Sequence, residues 1–461
     1  MARGDRLLDL LLEIARDGFP KVFLWDEEEP VELPLIRGYR WLPGGAFRAR
    51  EHPVHAAFVA ALIDDPQLRV FAGAAAPFIQ SSSGHGGQIR AGSLPDLLVA
   101  SASAAYVAKG RPTGDLDAFL DEVAGSLEAF RRLIAGEEVE ALTVVALDGI
   151  TLREQARFET PWGMLRAAGG LEAGMHLGGV VPTAILTMAR TVRFNVGDSR
   201  HDFAGFQAIQ VKIDRAVELL PLAALLGIER DDYLLPGLVW STNVEPVLPS
   251  GYQIPYVTGQ RARLAQFHRP SPMLHSGGEA LTEGEETRLR EWADLVERRY
   301  DSAIQIAVQR TISALRERTD ERDSLIDAVI ALENLFGHGD TSEVSFRVTV
   351  ALTLLLEPDP AKRPALRREL KDMYSARSTV IHGSKLTGKT PLSELKERAI
   401  RTAVESLRVL FADRPHFIPD RERGIRLILH TADPEESSPE EPSRQAAMDE
   451  AGVQPPGLED P

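Results

Sequence analysis

The chain of 461 residues contains no cysteine. Disulfides, thiolate metal sites and a cysteine nucleophile are all excluded, because each needs the thiol. It has no run of about 18 apolar residues, the length a membrane-crossing helix requires. The stretch MARGDRLLDLLLEIARDG holds only a short apolar run, broken by Glu13 and Arg16. Without a small-residue cleavage site it reads as an amphipathic helix, not a secretion signal. A cytoplasmic protein with no membrane partner is the expectation. Positive charge is also scarce, with 52 Lys and Arg against 68 Asp and Glu and a formal net charge of -16. Taken whole, that balance argues against a nucleic-acid partner.

The deficit is unevenly spread. From Thr282 to Ala412 there are 21 Lys and Arg against 22 Asp and Glu, whereas from Thr431 to Pro461 one Arg faces nine acids. The region before the tail is therefore close to neutral, and the whole-chain figure says little about its surface.

What is present is ordinary globular composition, 44% hydrophobic and 26% charged. The length allows two or three domains. The expected fold is α+β overall. Residues 1–280 read as a mixed α/β domain, 281–415 as an all-α helical domain and 416–461 as a C-terminal extension. Disorder is expected from about 431, where Pro, Glu, Ser and Gln cannot bury enough apolar surface to offset ordering entropy.

In the first region, helical spacing occurs at Asp5–Arg16, Val54–Asp64 and Leu116–Ile134, and strand-like runs at Leu142–Leu147, Arg190–Asn195 and Leu238–Thr242. Ser81–Ser93 reads as a glycine-rich loop holding His85. His52 and His55 have metal-like spacing, but Pro53 lies between them and no third ligand is near. Gly92-Ser93 resembles the start of a nucleotidyltransferase signature. Asp115-x-Asp117 lies 22 residues beyond Ser93, too far to complete it. No chemistry is legible before residue 280, and a sensor or targeting role with an unknown trigger is assigned by analogy alone.

Five helices are expected beyond it. The first spans Glu286–Arg318. Asp320 caps the second, which ends at Phe336 with Gly337 as its stop. Asp340 and Glu343 form a capping box for the third, ending near Leu356. The fourth runs from Pro364 to Ile381 and stops at Gly383. Thr390 and Pro391 open the fifth, Leu392–Phe411.

Three charged residues fall on apolar stripes. Glu333 lies among Ile326, Val329, Ile330 and Phe336; Arg347 among Val344, Ala351 and Leu354; Arg377 among Leu370, Met373, Tyr374 and Val380. Such placement is costly unless the charge is paired. A Glu333–Arg347 pair is expected, leaving Arg377 to face a cleft or a second subunit. On an ideal helix Arg377 and His382 differ by about 140° and about 7.5 Å, so they share no narrow stripe. At a frayed helix end, however, His382 can turn toward the side Arg377 faces.

Gly383-Ser-Lys-Leu-Thr-Gly-Lys-Thr390 matches a phosphate-loop pattern letter for letter. Its context opposes nucleotide binding. No buried strand clearly precedes it, and Pro391 lacks the N–H that a phosphate would need. Neither cofactor nor metal is expected.

The blocks LIDAVIALENLFG (325–337), SFRVTVALTLLL (345–356) and YSARSTVIHG (374–383) resemble, in order and separation, the Apea-like branch of the HEPN domains. The resemblance implies a helical bundle that homodimerises through its helices. It further implies a metal-independent endoribonuclease acting on RNA in a bacterial toxin or antiphage setting, with Arg377 and His382 as catalytic residues. Ser378, Tyr374, Glu333 and Arg347 would support them. The chemistry suits those types, since His moves protons near neutral pH and Arg stabilises charge on phosphorus. Lys362, Arg363, Arg367, Arg368 and Lys371 could track an RNA backbone. Some members of the family are non-catalytic dimerisation or binding modules, and that reading stays open.

Overall fold

The computed structural model describes residues 5–22, 31–32, 49–83, 86–112, 114–173, 175–176, 180–197, 204–230, 233–247, 278–337, 343–382 and 390–429. Sheets occupy the first half and helices the second.

The first half contains α1 (Arg6–Val22), β1 (Val31–Glu32), α2 (His55–Ala61), β2 (Phe78–Ser81), β3 (Gly86–Gln88), α3 (Leu94–Ala108) and α4 (Leu116–Ile134). There follow β4 (Val139–Asp148), β5 (Arg157–Thr160), β6 (Gly163–Ala167), α5 (Gly170–Ala173), β7 (Met175–His176), β8 (Ala184–Val192), β9 (Phe194–Val196), α6 (Ala204–Gly227) and β10 (Gly237–Val244). Five strands make one antiparallel sheet in the order β10-β4-β8-β6-β5. Strand alternation sends Val145 and Leu147 of β4 into one core and Val144 and Ala146 into another. A third core joins α1 to α4 through Leu11, Phe58, Leu98, Phe119 and Phe130.

The second half contains α7 (Glu283–Arg299), α8 (Gln305–Arg316), α9 (Glu321–Phe336), α10 (Val344–Leu356), α11 (Arg363–Ile381), α12 (Leu392–Ala412) and α13 (Arg423–Leu429). The largest core is continuous from the sheet through α6 into these helices, joining Leu186, Leu220, Leu289, Leu332 and Leu407. This extended interface seats the helical half against the sheet half.

Several expectations need correction. The helix expected over Glu286–Arg318 is two helices, because Tyr300 leaves helical dihedrals with ψ 129° and Asp301 caps a new start through the Ala303 N–H at 2.7 Å. Ser81–Ser93 is not all loop. Its glycines let β3 pair with β2, and a Cβ at Gly86 would lie 3.0 Å from the Ile79 carbonyl oxygen. The run Arg190–Asn195 is split at Arg193 between β8 and β9, which belong to different sheets. Glu343 sits in the left-handed region at φ 57° directly before α10 and makes no side-chain cap; Asp340 lies outside the described residues. Pro391, not Thr390, holds the N-cap position of α12. Residues 416–429 are folded, and α13 packs on α9 and α10. The tail from 431 lies outside the described residues.

Candidate functional site

The site begins with α9. Asp320 accepts the Arg322 N–H at 2.7 Å, and Gly337 closes the helix by donating its N–H to the Glu333 carbonyl at 2.7 Å. Leu325, Ala328, Leu332 and Leu335 point into the core, whereas Ile326, Ile330 and Glu333 are only half-buried. Glu333 therefore lies on the rim of the apolar face rather than within it.

On α11, Leu370, Met373, Tyr374 and Ala376 are buried, and Arg377 follows at the edge of that stripe. Arg377 Nη2 donates to Glu333 Oε2 at 3.3 Å, with the side chains 29% and 26% exposed. The expected Glu333–Arg347 pair is thus replaced, and Arg377 is not left without an acid. Arg347 Nη2 instead reaches the Gly337 carbonyl at 3.3 Å, near the negative end of α9. Glu333, one turn earlier, faces α11.

Tyr374 completes the cluster. It is buried, and its hydroxyl has no hydrogen-bond partner among the described residues. Burial, reinforced by the Glu333 charge and opposed by Arg377, pushes the phenol well above its ordinary value. Burial also raises Glu333, against the pull of Arg377. Arg377 Nε has no partner either. The arrangement is a half-buried cation with one long bond to a carboxylate and unspent donors.

His382 is the C-cap of α11. Its N–H donates to the Ser378 carbonyl at 3.1 Å, and both residues are exposed. No hydrogen bond or ion pair joins Arg377 to His382 among the described residues. Within one chain Arg377 turns toward α9 and His382 toward solvent.

The basic run divides by partner. Arg363 donates to the carbonyls of Glu357 at 2.9 Å and Pro358 at 3.3 Å, tying α11 to the end of α10. Arg367 lies 5.0 Å from the ring centre of Phe346, a side chain more than half exposed. Lys362 is 3.9 Å from Asp359. Arg368 and Lys371 are exposed.

Other sequence candidates have structural duties. His52 Nε2 meets Asp17 at 3.0 Å, and His55 Nε2 meets the Gly92 carbonyl at 2.9 Å. Asp115 caps α4 by accepting the Ala118 N–H at 3.0 Å. His85 and residues 383–389 lie outside the described residues. Among the described residues no group of three or more His, Cys, Asp or Glu is placed to hold a metal ion, and no helix is long and apolar enough to cross a membrane.

Sequence reasoning missed buried charges, among them Asp327 and Arg423. Asp327 accepts from Arg310 and Arg318 at 2.7 Å and from Ser313 at 2.9 Å. Its place between Leu325 and Val329, on the same apolar helix, was a readable signal. Arg423 is 1% exposed and clamps three carbonyls. Nothing in its surroundings in the sequence marked it.

In comparison with known proteins, the chain matches no family model, no curated protein and no solved structure.

Proposed function

We propose that the C-terminal helices are a HEPN-type domain that cleaves RNA without a metal, as a homodimer, in a cytoplasmic toxin or antiphage role. The observation that carries this reading is the state of Arg377. Its guanidinium is partly shielded from water and bound once at 3.3 Å; Nε is buried without a partner, and Nη1 is left to donate to a phosphate. A carboxylate whose charged form is disfavoured by burial is a weak competitor for that cation.

The chemistry would be attack of an RNA 2′-hydroxyl on the adjacent phosphorus, with loss of the 5′-oxygen. Arg377 would stabilise the charge developing on the phosphoryl oxygens. His382, exposed at the helix end, would carry the proton. One chain turns these two groups apart. A twofold axis through the α11 end could return a second copy of each to one phosphate. Ile381, 47% exposed beside His382, supports such packing.

The competing reading is a non-catalytic dimerisation or binding module. It is favoured by the Glu333–Arg377 contact, which is also what a purely structural arginine would make. An RNA cleavage assay on the purified chain in EDTA separates the two. Cleavage supports the enzyme, and intact RNA across a panel of substrates leaves the module. Mixing Arg377→Ala with His382→Ala protein then tests the composite site, since restored cleavage requires residues from both protomers.

A further inference from the structure

A small cavity of about 140 Å³ is lined by Ser302, Ala303, Ile306, Asn334, Arg421 and Arg423, none of which is Glu333, Tyr374 or Arg377. That is room for several water-sized groups. It suits a tetrahedral oxyanion, with the rest of any larger molecule outside the mouth.

Arg423 is 1% exposed and lines this cavity. It donates to the Phe417, Leu335 and Ile418 carbonyls at 2.7, 2.8 and 2.7 Å. Those bonds hold the side chain in place but do not neutralise it. No carboxylate stands within ion-pair distance among the described residues, and burial pushes the guanidinium down to about 10. The nearest acids have other partners, and Asp420 Oδ2 is buried without a hydrogen bond. Asp301 accepts the Ala303 N–H at 2.7 Å, and Asp420 accepts the Glu422 N–H at 2.8 Å and pairs with Arg426 at 3.0 Å. Buried cations are ordinarily matched by an anion.

The other walls also donate. Arg421 is exposed at the mouth with no partner among the described residues. Asn334 spends its Oδ1 on the Ala307 N–H at 3.2 Å, which leaves its amide NH2 as a donor. Ser302, Ala303 and Ile306 belong to the N-terminal turns that open the 12-residue helix α8, whose dipole favours negative charge. The Ala303 and Ala307 N–H groups are already donated to Asp301 and Asn334.

We propose that this cavity binds a phosphate group, either free inorganic phosphate or the terminal phosphate of a larger molecule, between Arg423 and Arg421 at the start of α8. The assignment is independent of ribonuclease activity.

The test is thermal melting of the full chain at constant ionic strength, titrated with inorganic phosphate, with AMP as a phosphomonoester, and with chloride. Arg421→Ala and Ile306→Glu alter the exposed mouth and should melt like the parent in phosphate-free buffer. Arg423→Met would remove a structural clamp and is not used. Saturable stabilisation by phosphate in the millimolar range, weakened at least fivefold in both variants, is the expected result. An equal response to AMP identifies a phosphomonoester as an acceptable source, and a response to phosphate alone restricts the site to the free ion. No saturable shift, the same shift with chloride, or full response in both variants would overturn the proposal.

Discussion

The Glu333 carboxylate meets Arg377 Nη2 at 3.3 Å across the gap between α9 and α11, and neither side chain is fully sheltered. A contact this long between partly wet groups contributes little stability, on the order of 1 kcal/mol or less. Its weight lies in what it leaves available. On the proposed ribonuclease reading, Arg377→Ala and His382→Ala should each lower RNA cleavage by about 100-fold or more, since that reading gives them different transition-state roles. Both proteins should keep the parental circular dichroism. Parallel losses of melting temperature and activity would assign the residues to structure.

Glu333→Gln addresses the same contact by titration. Burial raises Glu333 above the usual value of 4.5, so the folded chain binds more protons than the unfolded one in the window above that value. Stability from this group is therefore complete below about 4.5 and falls as pH rises through the higher folded value. Glutamine cannot ionise and should flatten that part of the stability–pH curve. Urea midpoints measured from pH 4 to 8 check it, and an unchanged slope would mean the carboxylate is not raised.

Tyr374→Phe should be neutral or stabilising by up to about 1 kcal/mol, because it deletes a buried hydroxyl that has no partner. Chemical denaturation decides the matter. A loss above about 1 kcal/mol would reveal a bond formed by that hydroxyl in solution.

Asp327→Ala should cost about 2–3 kcal/mol. The buried carboxylate holds Arg310, Arg318 and Ser313 together between α8 and α9. The loss stays below the full penalty for a broken buried pair because Arg310 and Arg318 are more than a third exposed and can return to water. Urea unfolding measures this, and an effect under about 0.5 kcal/mol would mean the bonds contribute nothing net.

Gly424→Ala should destabilise by about 1–3 kcal/mol, as overpacking does. A Cβ there would overlap the Phe336 carbonyl oxygen, where α13 crosses the end of α9. Limited proteolysis should cut the variant between α12 and α13 sooner than the parent. Equal cutting rates would show that this crossing is loose.

The sequence by itself determined the local elements whose signals are local. The helix Leu116–Ile134 occurs at the expected residues because Asp115 caps it and its apolar face repeats at 3.6. Asp320 and Gly337 likewise bracket α9, since caps act through neighbours three or four residues away. Pairing across elements was not legible. Helical spacing placed Glu333, Arg347 and Arg377 on stripes, but which two meet depends on how α9, α10 and α11 cross. Those crossings are set by the summed packing of many apolar residues. The β2–β3 hairpin was hidden for a related reason, because Gly86 is selected by its close approach to Ile79 rather than by strand propensity. Arg423 and the cavity it lines depend on three carbonyls from residues as distant as Leu335 and Ile418. A periodicity argument reaches one turn along a chain; tertiary packing decided the rest, because desolvation and charge pairing depend on neighbours in space.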